Sequence, residues 1–338
     1  MTSSQLRSLG WSQFFAEQLD CADAGLVPLR IATVHRSRLM AETGTGQVKL
    51  GLPAHATSRD FAVGDWVLIE RRTQTVIRRL ERRTLLRRRT GSTHALQLIA
   101  ANVDKLFIVT SCNDDCNLAR LERYLAVANE AGIDPVIVLT KIDQVDDAGT
   151  YRTQAETLQR DLAVILLNAK AADAADTLSP WCGPGETVAL VGSSGVGKST
   201  LLNNLADKLP AEAQLTGSIR GGDAKGRHTT TSRSLHPIAG GGWAIDTPGM
   251  RTLHVSDVEG GLDMLFAEIT ELAPKCRFRD CTHADEPGCA VQDAVAAGNL
   301  SPARLNRWRK LREENRANTP AQSGPRGKKT VASRGSRR

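Results

Sequence analysis

Near the middle of the chain an apolar run, residues 187–191, leads into an octapeptide of small residues and then into a helical pattern over residues 200–209. The octapeptide is Gly192, Ser193, Ser194, Gly195, Val196, Gly197, Lys198 and Ser199. It has the form of a Walker A loop, in the strand-before, helix-after context that such a loop needs. Its glycines let backbone N–H groups curl around a β-phosphate at a helix N-terminus. Lys198 would then sit between the β- and γ-phosphates, and the Ser199 hydroxyl, followed by Thr200, would be a Mg²⁺ ligand.

The pattern around this unit is strand, helix, strand from residue 95 to about residue 255. Residues 106–110 are a continuous apolar run of buried-strand length. Asn117 can cap a helix that puts Leu118, Leu121, Leu125 and Ala128 on one face and stops at Gly132. Further strands are expected at 135–139, 163–167, 187–191 and 243–245. Apolar strands alternating with amphipathic helices specify a parallel sheet covered on both faces.

Four more segments bear on which nucleotide is bound. Thr140, Lys141, Ile142 and Asp143 follow the strand at 135–139, at the carboxyl end where ligands of open α/β sheets bind. A carboxylate there can accept from both guanine N1–H and the 2-amino group. Adenine offers no such donor pair, so Asp143 selects GTP and GDP over ATP. The Lys141 stem can cover the base, and the backbone of Asn168, Ala169 and Lys170 can support guanine O6. Asp246, at a strand end, suits an aspartate that holds Mg²⁺ through water, with Gly249 near the γ-phosphate. Residues 225–232 form a glycine-flanked, threonine-rich candidate switch loop, in which Thr230 or a neighbouring threonine would complete the Mg²⁺ shell. Met250 stands where many GTPases have a water-orienting glutamine. His228 is the best available substitute for polarising the attacking water, the alternative being an incidental loop histidine. Catalysis is thus assigned to His228, Lys198 and Asp246, with slow intrinsic hydrolysis that a partner accelerates.

These segments occur in the order 140–143, 168–170, 192–199, 246–249, whereas the usual GTPase order begins with the phosphate loop. A circular permutation accounts for this, because moving termini that lie at the surface preserves a fold.

The 338 residues allow two or three domains of roughly 100–200 residues each. Residues 1–92 combine a short helical lead-in with closely spaced alternating runs, which suggests a small β-barrel. An oligonucleotide-binding (OB) barrel is the economical reading, although an SH3-like barrel would look much the same. Residues 93–257 are the permuted GTPase domain, 258–316 a helical zinc-binding domain, and 317–338 a basic, disordered tail. No run is long enough to span a membrane and no signal peptide opens the chain, so a cytoplasmic location is expected. The net charge is +7, and residues 316–338 hold seven of the 44 basic residues and no acid, leaving 37 against 37 elsewhere. A second block, residues 70–89, has nine Arg and two Glu. Two such patches favour a nucleic-acid partner.

Cys276, Cys281, His283 and Cys289 place three thiols and an imidazole within 14 residues, a set suited to one closed, tetrahedral, structural Zn²⁺. Cys21, Cys112, Cys116 and Cys182 read as ordinary thiols. An odd total of seven speaks against a disulfide framework.

Together these features resemble the circularly permuted GTPases of the ribosome small subunit-dependent GTPase A family (RsgA) over nearly the whole chain. The likeness adds Ala-Asn-Val-Asp at 101–104, Arg-Tyr-Leu at 123–125 and Gly-Arg-His-Thr-Thr-Thr at 226–231 to the motifs above. It implies a monomeric late-stage assembly factor of the 30S ribosomal subunit that binds 16S rRNA and hydrolyses GTP under stimulation by the subunit. A passive switch with negligible turnover is the competing reading, which Met250 makes reasonable. Two departures stand out. Thr140 replaces the usual Asn, an expected loss of an amide tie to the phosphate loop and of some guanine affinity. Asn168 replaces the usual Ser, a smaller matter because backbone atoms recognise the base there.

Overall fold

The computed structural model describes residues 1–89, 95–113, 116–207, 233–247 and 255–319. Short helices α1 (Ser3–Ser8) and α2 (Gln13–Ala16) fill the lead-in. Five strands follow: β1 (Val27–Val34), β2 (Leu39–Glu42), β3 (Gln47–Leu50), β4 (Trp66–Glu70) and β5 (Thr75–Arg79). They pair antiparallel in the order β3–β2–β1–β4–β5, and a parallel bridge between Gly51 and Thr75 brings the two edges together. Alternation turns Leu29, Ile31, Leu39, Leu50, Val67 and Val76 inwards as a separate core. The arginine-rich block continues into β6 (Leu85–Arg89), which pairs antiparallel with β7 (Leu96–Ala101).

The parallel sheet starts with β8 (Lys105–Ser111), α3 (Leu118–Glu130), β9 (Asp134–Thr140), α4 (Ala148–Glu156), β10 (Ala163–Leu166) and α5 (Ala174–Leu178). It continues with β11 (Thr187–Val191), α6 (Lys198–Asp207), β12 (Ser234–Pro237) and β13 (Trp243–Asp246). Strand order is β10–β9–β8–β11–β13–β12, parallel throughout except for the antiparallel β12–β13 pair. The chain therefore builds outwards from β8 to one edge, returns to the centre at β11, and builds to the other edge. That return is the topological switch point, and the crevice beyond the strand ends there is where such sheets bind ligands. Leu106, Phe107, Ile108 and Val109 of β8 are all at most 1% exposed. Each such side chain contributes about 1.5–3 kcal/mol of burial, which explains why the centre of the sheet reads as unbroken apolar sequence.

The five-strand ring and the parallel sheet are joined by antiparallel pairing of β1 with β12 at Thr33 and Ser234, and by a buried arginine. Arg30 of β1 is 1% exposed and donates to Leu9 O at 2.7 Å, to Asn102 O at 3.2 Å and to Thr187 Oγ1 on β11 at 2.7 Å. Burial pushes its guanidinium down to about 10, against the pull of Asp104. Trp66, at the head of β4, receives Trp11 edge-on at 4.8 Å, so the lead-in helices cover the same junction.

The last third is helical: α7 (Glu259–Leu265), α8 (Ala267–Leu272), α9 (Ala290–Ala296) and α10 (Pro302–Asn318), the last capped by Ser301. Helices α7 and α3 approach so closely that a Cβ added at Gly261 would lie 2.0 Å from Ala126 O. Helix α10 is fixed to α3 by Arg304 and Arg307, which both donate to Glu122 Oε1 at 2.8 Å. Among the described residues no helix is long and apolar enough to cross a membrane.

Candidate nucleotide site and metal cluster

The strand ends of β9, β10, β11 and β13 bring most of the expected nucleotide residues to one edge of the sheet. The octapeptide leaves β11 at Gly192 and enters α6 at Lys198. Gly192 has φ +139°, and a Cβ there would lie 2.1 Å from Val109 O of the adjacent strand, so only glycine lets the loop start beside β8. The Lys198 ammonium is held inside the loop by Gly192 O at 2.9 Å and by Ser193 O. Val196 is buried and anchors the loop in the core under α5 and α6, while Ser194, Gly195 and Ser199 are exposed at its rim.

Two neighbouring turns support this loop. Thr140, fully buried at the end of β9, donates its hydroxyl proton to Val196 O at 2.6 Å. The tie expected to be lost with the Asn-to-Thr departure is thus kept, because a short hydroxyl on a buried strand end reaches the same loop. Lys141 follows with φ +57°, a left-handed conformation that costs a non-glycine residue on the order of 1 kcal/mol. The turn leaves Lys141 and Ile142 half-buried and Asp143 exposed at the strand's carboxyl end. On the far side of the loop, Asn168 Oδ1 accepts from Lys170 N at 2.9 Å, closing the Asn168–Ala169–Lys170 turn on itself. Asn204 of α6 then donates to Ala169 O at 2.6 Å and joins that turn to the phosphate-loop helix.

Asp246 ends β13 opposite Ser234. Burial raises its carboxyl above the usual range, and His236 and Lys198 pull it back down. His236 is lowered by the same burial, with Asp246 opposing, and its Nε2 lies 2.8 Å from Ser234 Oγ. Asp246 is thus a half-buried acid that shares its field with two basic groups. His228, Thr230, Gly249 and Met250 lie outside the described residues, as does the tail beyond residue 319.

Sequence reading missed Arg120, Asn204 and His236. Arg120, in the first turn of α3, donates through Nη1 to Ser193 Oγ of the octapeptide. The available signal was topological: a helix that follows β8 must begin beside the switch point.

The second site lies between α8, α9 and α10. The donor atoms of Cys276, Cys281, His283 and Cys289 lie within 4.8 Å of one another. His283 Nδ1 is 3.5 Å from the Sγ of both Cys276 and Cys289, and those two sulfurs are 3.9 Å apart. A tetrahedron with Zn–S of about 2.3 Å has S···S edges of about 3.8 Å, so the cluster has the right size for zinc. Partial burial and the neighbouring Cys289 and Cys276 thiols push the Cys281 thiol up to about 12, which a divalent cation would reverse. The loop is held open by Glu286, which accepts from Thr282 N at 2.8 Å and Ala284 N at 2.9 Å. His283 is fixed in turn by Gln292 Nε2, which donates to its carbonyl at 2.7 Å.

The family model for RsgA GTPases matches residues 79–256. The small ribosomal subunit biogenesis GTPase RsgA of Mesorhizobium japonicum is 64% identical over 337 residues, covering 100% of this chain and 97% of that protein. The small ribosomal subunit biogenesis GTPase RsgA 2 of Vibrio parahaemolyticus is 47% identical over 315 residues, covering 93% and 86%. Among solved structures, YjeQ from Thermotoga maritima superposes with a TM-score of 0.62 at 24% identity, covering 86% of this chain and 98% of that one. YloQ, a circularly permuted GTPase, superposes with a TM-score of 0.59 at 24% identity, covering 89% and 99%. The fold is therefore that of a circularly permuted GTPase. With identity of this depth along its whole length, the chain belongs to the RsgA GTPase family and is a GTPase.

Proposed function

We propose that this chain binds GTP at the shared edge of β9, β10, β11 and β13 and hydrolyses it in the biogenesis of the small ribosomal subunit. The observation that carries this reading is the 64% identity, over the full chain, to a relative named for that role. Asp143 reads the guanine N1–H and 2-amino group, with Lys141 and Ile142 flanking the base and the Asn168–Ala169–Lys170 turn supporting O6. The octapeptide N–H groups and Lys198 bind the phosphates at the N-terminus of α6, where the helix dipole adds to their charge. Ser199, Asp246 and Thr230 are assigned to Mg²⁺, which when bound neutralises charge building on the phosphate oxygens. His228 polarises the attacking water in place of the missing glutamine, and Gly249 approaches the γ-phosphate. The cysteine–histidine cluster holds one structural Zn²⁺.

The five-strand ring, with β3 and β5 brought together in parallel, supports the OB reading of residues 1–92 over the SH3-like one. Its arginine-rich edge and the cluster loop, through Lys275, Arg277 and Arg279, are assigned to 16S rRNA on the 30S subunit. The GTPase unit is assigned to residues 93–257, the zinc-binding unit to 258–316 and the basic tail to 317–338, in a monomeric cytoplasmic protein with no membrane partner. Co-sedimentation with purified small subunits tests the partner. Retention with a non-hydrolysable GTP analogue and release with GDP is expected, and equal partition in both states would refute the assignment.

A further inference from the structure

Arg120 carries a role that the motifs do not. It stands in the first turn of α3, its backbone N–H held by the capping Asn117 Oδ1 at 3.0 Å. From there the half-buried guanidinium crosses to the phosphate loop and donates to Ser193 Oγ. Because Ser193 accepts this bond, its own hydroxyl proton is left for another acceptor. Among the described residues Arg120 makes no ion pair with a carboxylate, in contrast to Arg123 one turn on, which binds Glu314. Lys198 is held by the carbonyls of Gly192 and Ser193. Two cations therefore converge on the first two residues of the loop that leads into α6. A half-buried charge is screened far less than one in bulk water, so a charge this close to the loop acts on whatever anion the loop binds.

We propose that Arg120 is a specificity-determining residue of the nucleotide site, raising the positive potential at the phosphate loop through Ser193 and favouring the triphosphate over the diphosphate. A triphosphate brings more negative charge than a diphosphate, so the gain falls mainly on GTP. The inference rests on the nucleotide-site assignment above. Its test is equilibrium binding of full-length protein to a non-hydrolysable GTP analogue and to GDP, for Arg120→Ala, Arg120→Gln and Arg120→Lys. Ala and Gln are expected to weaken the GTP analogue about tenfold and GDP less than about threefold, while Lys keeps the ratio of the two within about threefold of the parent. The ratio does not depend on the fraction of protein that is folded, so a stability loss cannot imitate the effect. Glutamine keeps an N–H for Ser193 without the charge. A parent-like Gln variant would make Arg120 a hydrogen-bonding strut and overturn the proposal, as would an equal loss for both nucleotides or no change. Lys198→Ala is the control: if it retained both nucleotides, the nucleotide-site assignment itself would fail, whatever Arg120 did.

Discussion

At the scale of single residues, the site depends on a few polar groups at strand ends, and two substitutions separate their roles. Asp143→Asn replaces a double acceptor by a group that can accept only once and donates as well. GTP affinity is expected to fall at least about tenfold, with xanthine nucleotides gaining, because xanthine presents a carbonyl where guanine has its amino group. Competition between GTP and XTP measures this, and an unchanged preference would remove Asp143 from the base site. Thr140→Val deletes the hydroxyl that holds Val196 O and leaves that buried carbonyl short of a donor, a cost of about 1–3 kcal/mol. Weaker binding of GTP and GDP alike is the expected readout, since the phosphate loop loses a support common to both. The nucleotide motifs were legible in the sequence because each completes its chemistry within a few adjacent residues. Thr140 looked like a loss and Arg120 went unseen for one reason: their value lies in contacts 56 and 73 residues away.

At the scale of elements, β8, β9, β10 and β11 follow directly from apolar runs of about five residues and β13 from a shorter one, and α3 from its cap at Asn117 and stop at Gly132. The pairing of β6 with β7 was not legible, because a polar, arginine-rich strand carries no burial signal. Nor was the clamp between α3 and α10. Glu122 is fully buried and Arg304 is 7% exposed, yet in sequence both look like solvated charges on helices. Arg304 also donates to Glu268 Oε1 at 2.8 Å and to Leu158 O and Leu265 O, so one side chain ties α10 to α3, α7 and α8. Removing one partner of such a pair strands the other, so Glu122→Gln is expected to destabilise the fold by about 3–5 kcal/mol. Urea unfolding measures it, and a change below about 1 kcal/mol would mean that the clamp is idle.

At the scale of the molecule, permutation decides which parts of the chain adjoin the phosphate loop and Asp246 in sequence. Chain order alone revealed it, since residues 140–143 precede the octapeptide at 192–199. What the order could not reveal is how the stretch from Val255 on is fastened. Val255 N donates to Glu314 Oε1 at 3.2 Å, and Asp257 pairs with Arg89 of β6 at 2.5 Å, so this short stretch touches both α10 and the β6–β7 hairpin. The nucleotide state is proposed to reach the cysteine–histidine cluster and the arginine-rich β6–β7 pair through this stretch. The cluster itself is checked by metal content: Cys281→Ser should release about one zinc per chain, and unchanged zinc would refute the site. The most direct test of the whole scheme is the rate of phosphate release from GTP with and without purified small ribosomal subunits. Stimulation of at least about tenfold is expected, as for GTPases completed by a partner. An unchanged rate at saturating subunit would contradict it and leave a passive switch.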